Sequence, residues 1–281
     1  MVVATVLSRA DIDQLLRDHG LSPRRTFGQN FVADPNTVRR IARLAAVGPG
    51  DHVLEIGAGL GSLTLALAET GAAVTAVEID RGIVPVLRDV VADTTVRVVE
   101  GDATELDWPS LLAGHDHWVL VANLPYNVAT PLVCDLLDGV PQIERMLVMV
   151  QREVGERLSA APRSPAYGAV SVKVAYWATA RIAGLVPATV FVPRPNVESA
   201  LVEITRRPEP ATAADPATMF RLVRTAFGQR RKMLRRSLAG VVPTEVFDDA
   251  AIDPSRRPEE LDVIEWGRLA TACDDLHRAG R

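Results

Sequence analysis

The chain has 281 residues, 48% of them apolar and 23% charged, with a net charge of −4. That balance supports a sizeable core and excludes intrinsic disorder, while the bulk acidity by itself argues against a nucleic-acid partner. No apolar run nears the ~18 residues of a membrane helix, MVVATVLSRAD shows no secretory pattern, and the lone Cys134 and Cys273 suit a reducing cytoplasm, where the protein is expected.

Ser8, followed three residues later by Asp11, predicts a capping box opening a helix through IDQLLRDH, with Gly20 as its stop. SPRRTFGQNF is too rich in Gly, Pro and Arg to be helical. Asp34 and Pro35 then predict the N-cap and first position of a helix through TVRRIARLAA. HVLEI, AAVTAVEI, VRVVE, WVLVA and RMLVMV follow as short valine-rich runs, separated by the helical patterns LGSLTLALAET, GIVPVLRDVVA and ATPLVCDLLD. This alternation predicts an α/β fold with a doubly wound sheet. YGAVSVKVAYWA reads as a helix, and ARIAGLV and VESALVEITRR as two further strands ending near Arg206. RRPEPATAADPA reads as a linker, and the pattern beyond it is all-helical. The expected domains are therefore residues 1–206 and a small helical unit of residues 207–281.

In HVLEIGAGLGSLT, Gly57, Gly59 and Gly61 stand between a strand and a helix, where glycine permits a tight turn and a close ligand approach. Glu78 ends the next strand, at the distance from which a carboxylate accepts from ribose hydroxyls. A dinucleotide enzyme shares such a loop. Three details favour S-adenosylmethionine over NAD: Ser62 stands where the dinucleotide fingerprint wants a glycine, Glu55 precedes the loop, and a further strand ends in EGDA, offering Asp102 to an adenine edge.

VANLPYN, residues 121–127, ends the fourth strand of the sheet, where open α/β sheets bind ligands. The exocyclic amine of adenine is a poor nucleophile, because its lone pair is delocalised into the ring. Two acceptors, the Asn123 amide oxygen and the Leu124 carbonyl, would hold that NH2 with its lone pair turned toward a methyl donor. Pro125 stiffens the turn and Tyr126 offers a stacking face for an unpaired base. Alignment rather than a general base would carry the catalysis.

These segments, with FGQNF (27–31), VEID, QREV, FVPRPNVESA (191–200) and FGQRRKMLRRSL (227–238), resemble the ribosomal RNA adenine dimethyltransferases of the KsgA type, in order and over nearly the whole length. The resemblance implies a Rossmann-like class I methyltransferase domain that binds S-adenosyl-L-methionine, followed by a helical RNA-binding domain. It implies that Asn30 and the backbone at Val32 close over the cofactor and that Gly57 contacts its methionine part. Glu78 would bind the ribose, Asp102 the adenine, and Asn123 would border donor and target. Phe191 would stack on the target base opposite Tyr126. The implied substrate is a pair of adjacent adenosines in the loop of the 3′-terminal hairpin of small-subunit rRNA. Each would receive two methyls late in 30S assembly, and nothing demands more than a monomer. Ala58 stands where proline is frequent, and Val192, Arg194 and Asn196 replace the commoner threonine, proline and lysine.

Residues 206–240 carry nine Lys/Arg against two Asp/Glu, a local +7, whereas residues 241–281 carry five against ten, a local −5. Arg230, Arg231, Lys232, Arg235 and Arg236 are read as one short helix, with Leu234 and Leu238 turned to the core. Such runs are usually a solvated face, but near a base-stacking site phosphate contact is favoured. Arg24 and Arg25 could add to the same groove. His115-Asp116-His117 has no legible third ligand, so no metal is expected. Two other functions remain: a macrolide-resistance methyltransferase of large-subunit rRNA, and a noncatalytic nucleic-acid-binding assembly or transcription factor.

Overall fold

The computed structural model describes residues 6–279; residues 1–5, part of the segment inspected for a leader, and the side chain of Arg25 lie outside the described residues. The first elements are α1 (Arg9–Asp18), β1 (Phe31–Val32), α2 (Pro35–Ala45), β2 (His52–Ile56), α3 (Ser62–Ala68), β3 (Ala73–Glu78), α4 (Ile83–Val90) and β4 (Arg97–Glu100). Then come α5 (Trp108–Leu111), β5 (Trp118–Asn123), α6 (Ala129–Gly139), β6 (Ile143–Gln151), α7 (Arg152–Leu158) and α8 (Ala169–Trp177). The chain continues with β7 (Ala178–Val186), β8 (Phe191–Val192), β9 (Ser199–Arg206), α9 (Pro216–Phe227), α10 (Leu234–Ser237), α11 (Thr244–Asp249) and α12 (Val263–Ala279). No helix among the described residues is long and apolar enough to cross a membrane.

Both expected N-termini form. The Ser8 amide donates to the Asp11 carboxylate at 2.8 Å, and Asp34 accepts from the Thr37 amide at 2.9 Å, with Pro35 in the first turn. Each cap satisfies amides that the helix itself leaves unpaired.

The seven-stranded sheet has the order β4-β3-β2-β5-β6-β9-β7. The five strands β2 to β6 pair in parallel, and β9 returns antiparallel to β6. The valine runs of β2, β3, β5 and β6 are buried because a parallel sheet is covered on both faces, whereas those of edge strand β4 are half-buried. After β4 the chain returns to the far side of β2, so the strand order reverses between β2 and β5. Their carboxyl ends flank the crevice that such a reversal creates. The helix leaving that crevice, α6, is fixed at its other end by Arg206. Its guanidinium donates to the carbonyls of Leu136, Leu137 and Val140 at 2.9–3.2 Å, and to Ile143 at 3.1 Å. A cation on terminal carbonyls also complements the helix dipole.

Two features differ from the sequence expectation. A second sheet of only two strands joins β1 to β8, with Phe31 opposite Val192 and Val32 opposite Phe191. The chain also divides into two compact units, one ending at Gly155 and resuming over Arg181–Arg206, the other formed by Glu156–Ala180 and Arg207–Arg281. The boundary read at residue 206 thus leaves residues 156–180 with the wrong partner. Within the second unit Tyr167, Val172 and Tyr176 are buried among Met219, Leu222 and Trp266, and the Tyr167 and Tyr176 hydroxyls donate to the carbonyls of Leu261 and Ala214. The apolar run YGAVSVKVAYWA reads as a helix without naming what would bury it.

Candidate active site

The loop after β2 turns on Gly57 and Gly59, whose φ angles of +74° and +58° lie where side chains are strained. Its amides are spent on the neighbouring strand: Gly57 donates to the Val77 carbonyl at 2.9 Å, and Gly59 to the Glu78 carboxylate at 2.7 Å. The other Glu78 oxygen accepts from Asp80 N–H at 2.9 Å. Burial pushes the Glu78 pKa upward while these amide bonds oppose the shift. The FGQNF segment lies against the loop, because a Cβ added to Gly59 would stand 3.0 Å from the Phe31 ring. Gln29 fastens this segment by donating to Asp80 at 2.9 Å and accepting from Arg24 N–H at 2.7 Å.

Two adjoining cavities open at the strand ends. Asn30, Val32, Glu55, Gly57, Glu78 and Asn123 line the first. Asp102 lines the second among apolar walls that include Val77, Val128 and Leu132. Phe27, Gly57, Ile79 and Pro125 border both. One Asp102 oxygen accepts from the Thr104 amide and hydroxyl. The first cavity is bordered by polar groups without partners: Glu55 is 1% exposed, and its Oε2, like the Ser62 hydroxyl, is buried without a hydrogen bond. Burial lifts the Glu55 carboxyl to a pKa of about 8.

At the end of β5, Asn123 Nδ2 donates to the Asn30 carbonyl at 2.9 Å, which orients the amide and leaves Oδ1 free to accept. Leu124 N–H donates to Met149, and the Pro125 carbonyl accepts from Val128 and Ala129. No hydrogen bond among the described residues engages the Leu124 carbonyl. Tyr126 is half-buried, with its hydroxyl 2.8 Å from Ser199 Oγ, and it borders a third, open hollow with Asn30, Gln151 and the 193–197 loop.

Phe191 requires a correction. It is 0% exposed and sits in the main core with Val32 and Leu201, so it presents no face to a base. Its pairing with Val32 in the short ribbon turns the ring inward, and the neighbouring 193–197 loop borders the hollow instead. Phe27, Gln29, Ile79, Asp80 and Gln151 border or brace these cavities and were not singled out from the sequence, although FGQNF, VEID and QREV contain them.

Residues 20–272 match the family model described as ribosomal RNA adenine dimethylase. The chain belongs to the ribosomal RNA adenine dimethylase family. It is 48% identical to the ribosomal RNA small subunit methyltransferase A of Bifidobacterium adolescentis, over 96% of this chain and 95% of that one. Its fold is similar to that of a dimethyladenosine transferase from Plasmodium falciparum, with a TM-score of 0.74 and 22% identity over 88% of this chain and 97% of that one. It is also similar to the 23S rRNA methyltransferase ErmE, with a TM-score of 0.66 and 25% identity over 87% and 100% of the two chains.

In this dimethylase the basic residues of the second unit do not share one helix. Gly228 follows the end of α9, and Arg230, Arg231 and Lys232 occupy a turn closed by the Lys232 N–H to Gln229 carbonyl bond. Only Arg235 and Arg236 lie on α10, with Leu234 and Leu238 fully buried as expected. Arg230 is engaged internally, donating to Glu259 at 2.6 Å and to the Pro165 carbonyl at 2.9 Å. Arg231, Lys232 and Arg236 line a surface concavity with Arg163 and Arg257, rimmed by Glu259 and Glu260. Arg24 pairs with Asp80 at 3.4 Å. His115 stacks on His52 with ring centroids 3.4 Å apart, and His117 Nδ1 lies 2.7 Å from Glu144.

Proposed function

We propose that this dimethylase transfers methyl groups from S-adenosyl-L-methionine to N6 of two adjacent adenosines in the loop of the 3′-terminal hairpin of small-subunit rRNA. Each adenosine receives two methyls while the 30S subunit assembles in the cytoplasm, and the chain acts as a monomer. The observation that carries this reading is the pair of unengaged acceptors, Asn123 Oδ1 and the Leu124 carbonyl, at the mouth of a cavity built for a nucleoside with a charged tail.

The residues present fit that cofactor. Glu55 Oε2 and the Ser62 hydroxyl lack partners where an amino-acid moiety would lie. Asn30 and the Val32 backbone would close over it, with Gly57 against its methionine part. Glu78 retains acceptor capacity for ribose hydroxyls, and Asp102, among apolar walls, suits an adenine. Bound there, the cofactor would supply a methyl on a positively charged sulfur. Asn123 and Leu124 each accept one N–H of the target amine, which turns its lone pair away from both of them. Pro125 holds the turn, and Tyr126 supports the base ring. The amine needs no base before attack, since its proton becomes acidic only once the nitrogen carries the new carbon, so orientation carries the rate. The basic turn of the second unit, through Arg231, Lys232 and Arg236, would meet backbone phosphates and position the RNA without reading it.

The test is mass mapping of methylated adenosines after unmethylated small and large ribosomal subunits are incubated with the protein and labelled cofactor. Label is expected on two adjacent small-subunit adenosines, and Asn123→Ala should lower kcat at least about a hundredfold with RNA affinity retained. Label confined to large-subunit RNA would establish the macrolide-resistance reading, and tight binding without transfer a noncatalytic factor.

A further inference from the structure

Gln151, at the carboxyl end of β6, stands directly opposite Ser199 in the antiparallel ladder with β9. Residues opposed in a ladder project to the same face of a sheet. On that face the Ser199 hydroxyl meets the Tyr126 hydroxyl at 2.8 Å, so the Gln151 carboxamide leaves the sheet beside the same ring. It borders the open hollow with Tyr126, is half-buried, and makes no side-chain hydrogen bond among the described residues. The neighbouring amides are engaged: Gln29 bridges Arg24 and Asp80, and Asn30 Nδ2 donates to the Gly28 carbonyl. A half-buried carboxamide without a partner, next to an aromatic plane, is the arrangement by which proteins read the edge of an unpaired base.

We propose that the Gln151 carboxamide donates a hydrogen bond to a ring nitrogen, N1 or N7, of the target adenine and so helps to set base specificity. This rests on the adenine-N6 reading above. With the N6 amine held by two acceptors, the atoms left on either adjoining edge of the base are acceptors, and the carboxamide N–H complements them. Guanine carries a hydrogen on N1 and an oxygen in place of N6, so the same set of groups mismatches it.

The experiment uses unmethylated small subunits whose 3′-terminal hairpin is supplied as synthetic RNA. The target positions carry adenosine, 1-deazaadenosine or 7-deazaadenosine, and the full chain is compared with Gln151→Leu. Wild-type transfer to the adenosine subunits tests the parent reading, and S-adenosylhomocysteine affinity reports folding of each protein. One analogue is expected to lower wild-type kcat/KM roughly ten- to a hundredfold. Gln151→Leu should lose a similar factor on adenosine and then less than about twofold more on that same analogue, because the contact is already gone. Equal sensitivity of both proteins to both analogues, wild-type indifference to both, or full activity of Gln151→Leu on adenosine would each overturn the assignment. If Gln151→Leu fails to bind S-adenosylhomocysteine, Gln151→Glu, which places an oxygen where the donor stood, takes its place under the same criteria.

Discussion

Glu55 lines the first cavity with its Oε2 unpartnered, and burial raises its pKa to about 8 against the opposing influence of Thr64. The folded chain therefore binds this proton more tightly than the unfolded chain does. Stability from this group falls as pH rises from the ordinary carboxylate range to about 8, by up to about 1.4 kcal/mol per pH unit. Glu55→Gln removes the titration, so its stability relative to wild type should climb through that window and level off above it. Urea unfolding of both proteins at pH 5.5, 7 and 8.5 measures the difference, and parallel curves would refute the claim. Asn123 shows a second residue-scale effect. One Nδ2 hydrogen is committed to the Asn30 carbonyl, which orients the amide and leaves Oδ1 as its free acceptor. A purine with a carbonyl at position 6 would be refused by lone-pair repulsion rather than by lack of space.

Among the elements, the strand–loop–helix of β2 and α3 is the most constrained. Gly59→Ala places a Cβ 3.0 Å from the Phe31 ring at a φ of +58°. It should cost about 1–2 kcal/mol and weaken S-adenosylhomocysteine binding severalfold, read by thermal unfolding and calorimetric titration. Elements of this kind were legible in the sequence, because a buried parallel strand writes a valine run and a capped helix writes Ser8-to-Asp11 or Asp34-Pro35. The glycine loop and VANLPYN were legible for the same local reason. The ribbon of Phe31–Val32 with Phe191–Val192 was not, since two-residue strands carry no period and lie 160 positions apart. Phe191 was misjudged with it, as only the ribbon's register decides which way the ring turns. The pairing of Arg230 with Glu259 was equally hidden, because a charge run does not say which of its members will find a carboxylate.

At the scale of the whole molecule, the chain runs from the first compact unit into the second, back, and out again. A chain ended after Arg206 would keep every strand of the seven-stranded sheet but strand α8, whose Tyr167, Val172 and Tyr176 neighbourhood is covered by α9 and α12. Such a truncated protein should bind a hydrophobic dye more strongly than the full chain and associate more readily at micromolar concentration. Dye fluorescence and sedimentation compare the two directly, and a monomeric, dye-silent fragment would contradict this assignment of residues 156–180.

The same connectivity bears on how the polypeptide is made. Synthesis proceeds from the amino end, so β9 leaves the exit tunnel before any residue of α9 to α12 has emerged. The crevice between β2 and β5 is thus complete while α8 still lacks its covering helices. Every nascent copy must pass through an interval in which Tyr176 and its neighbours are open to holdase chaperones, an exposure written into the order of translation.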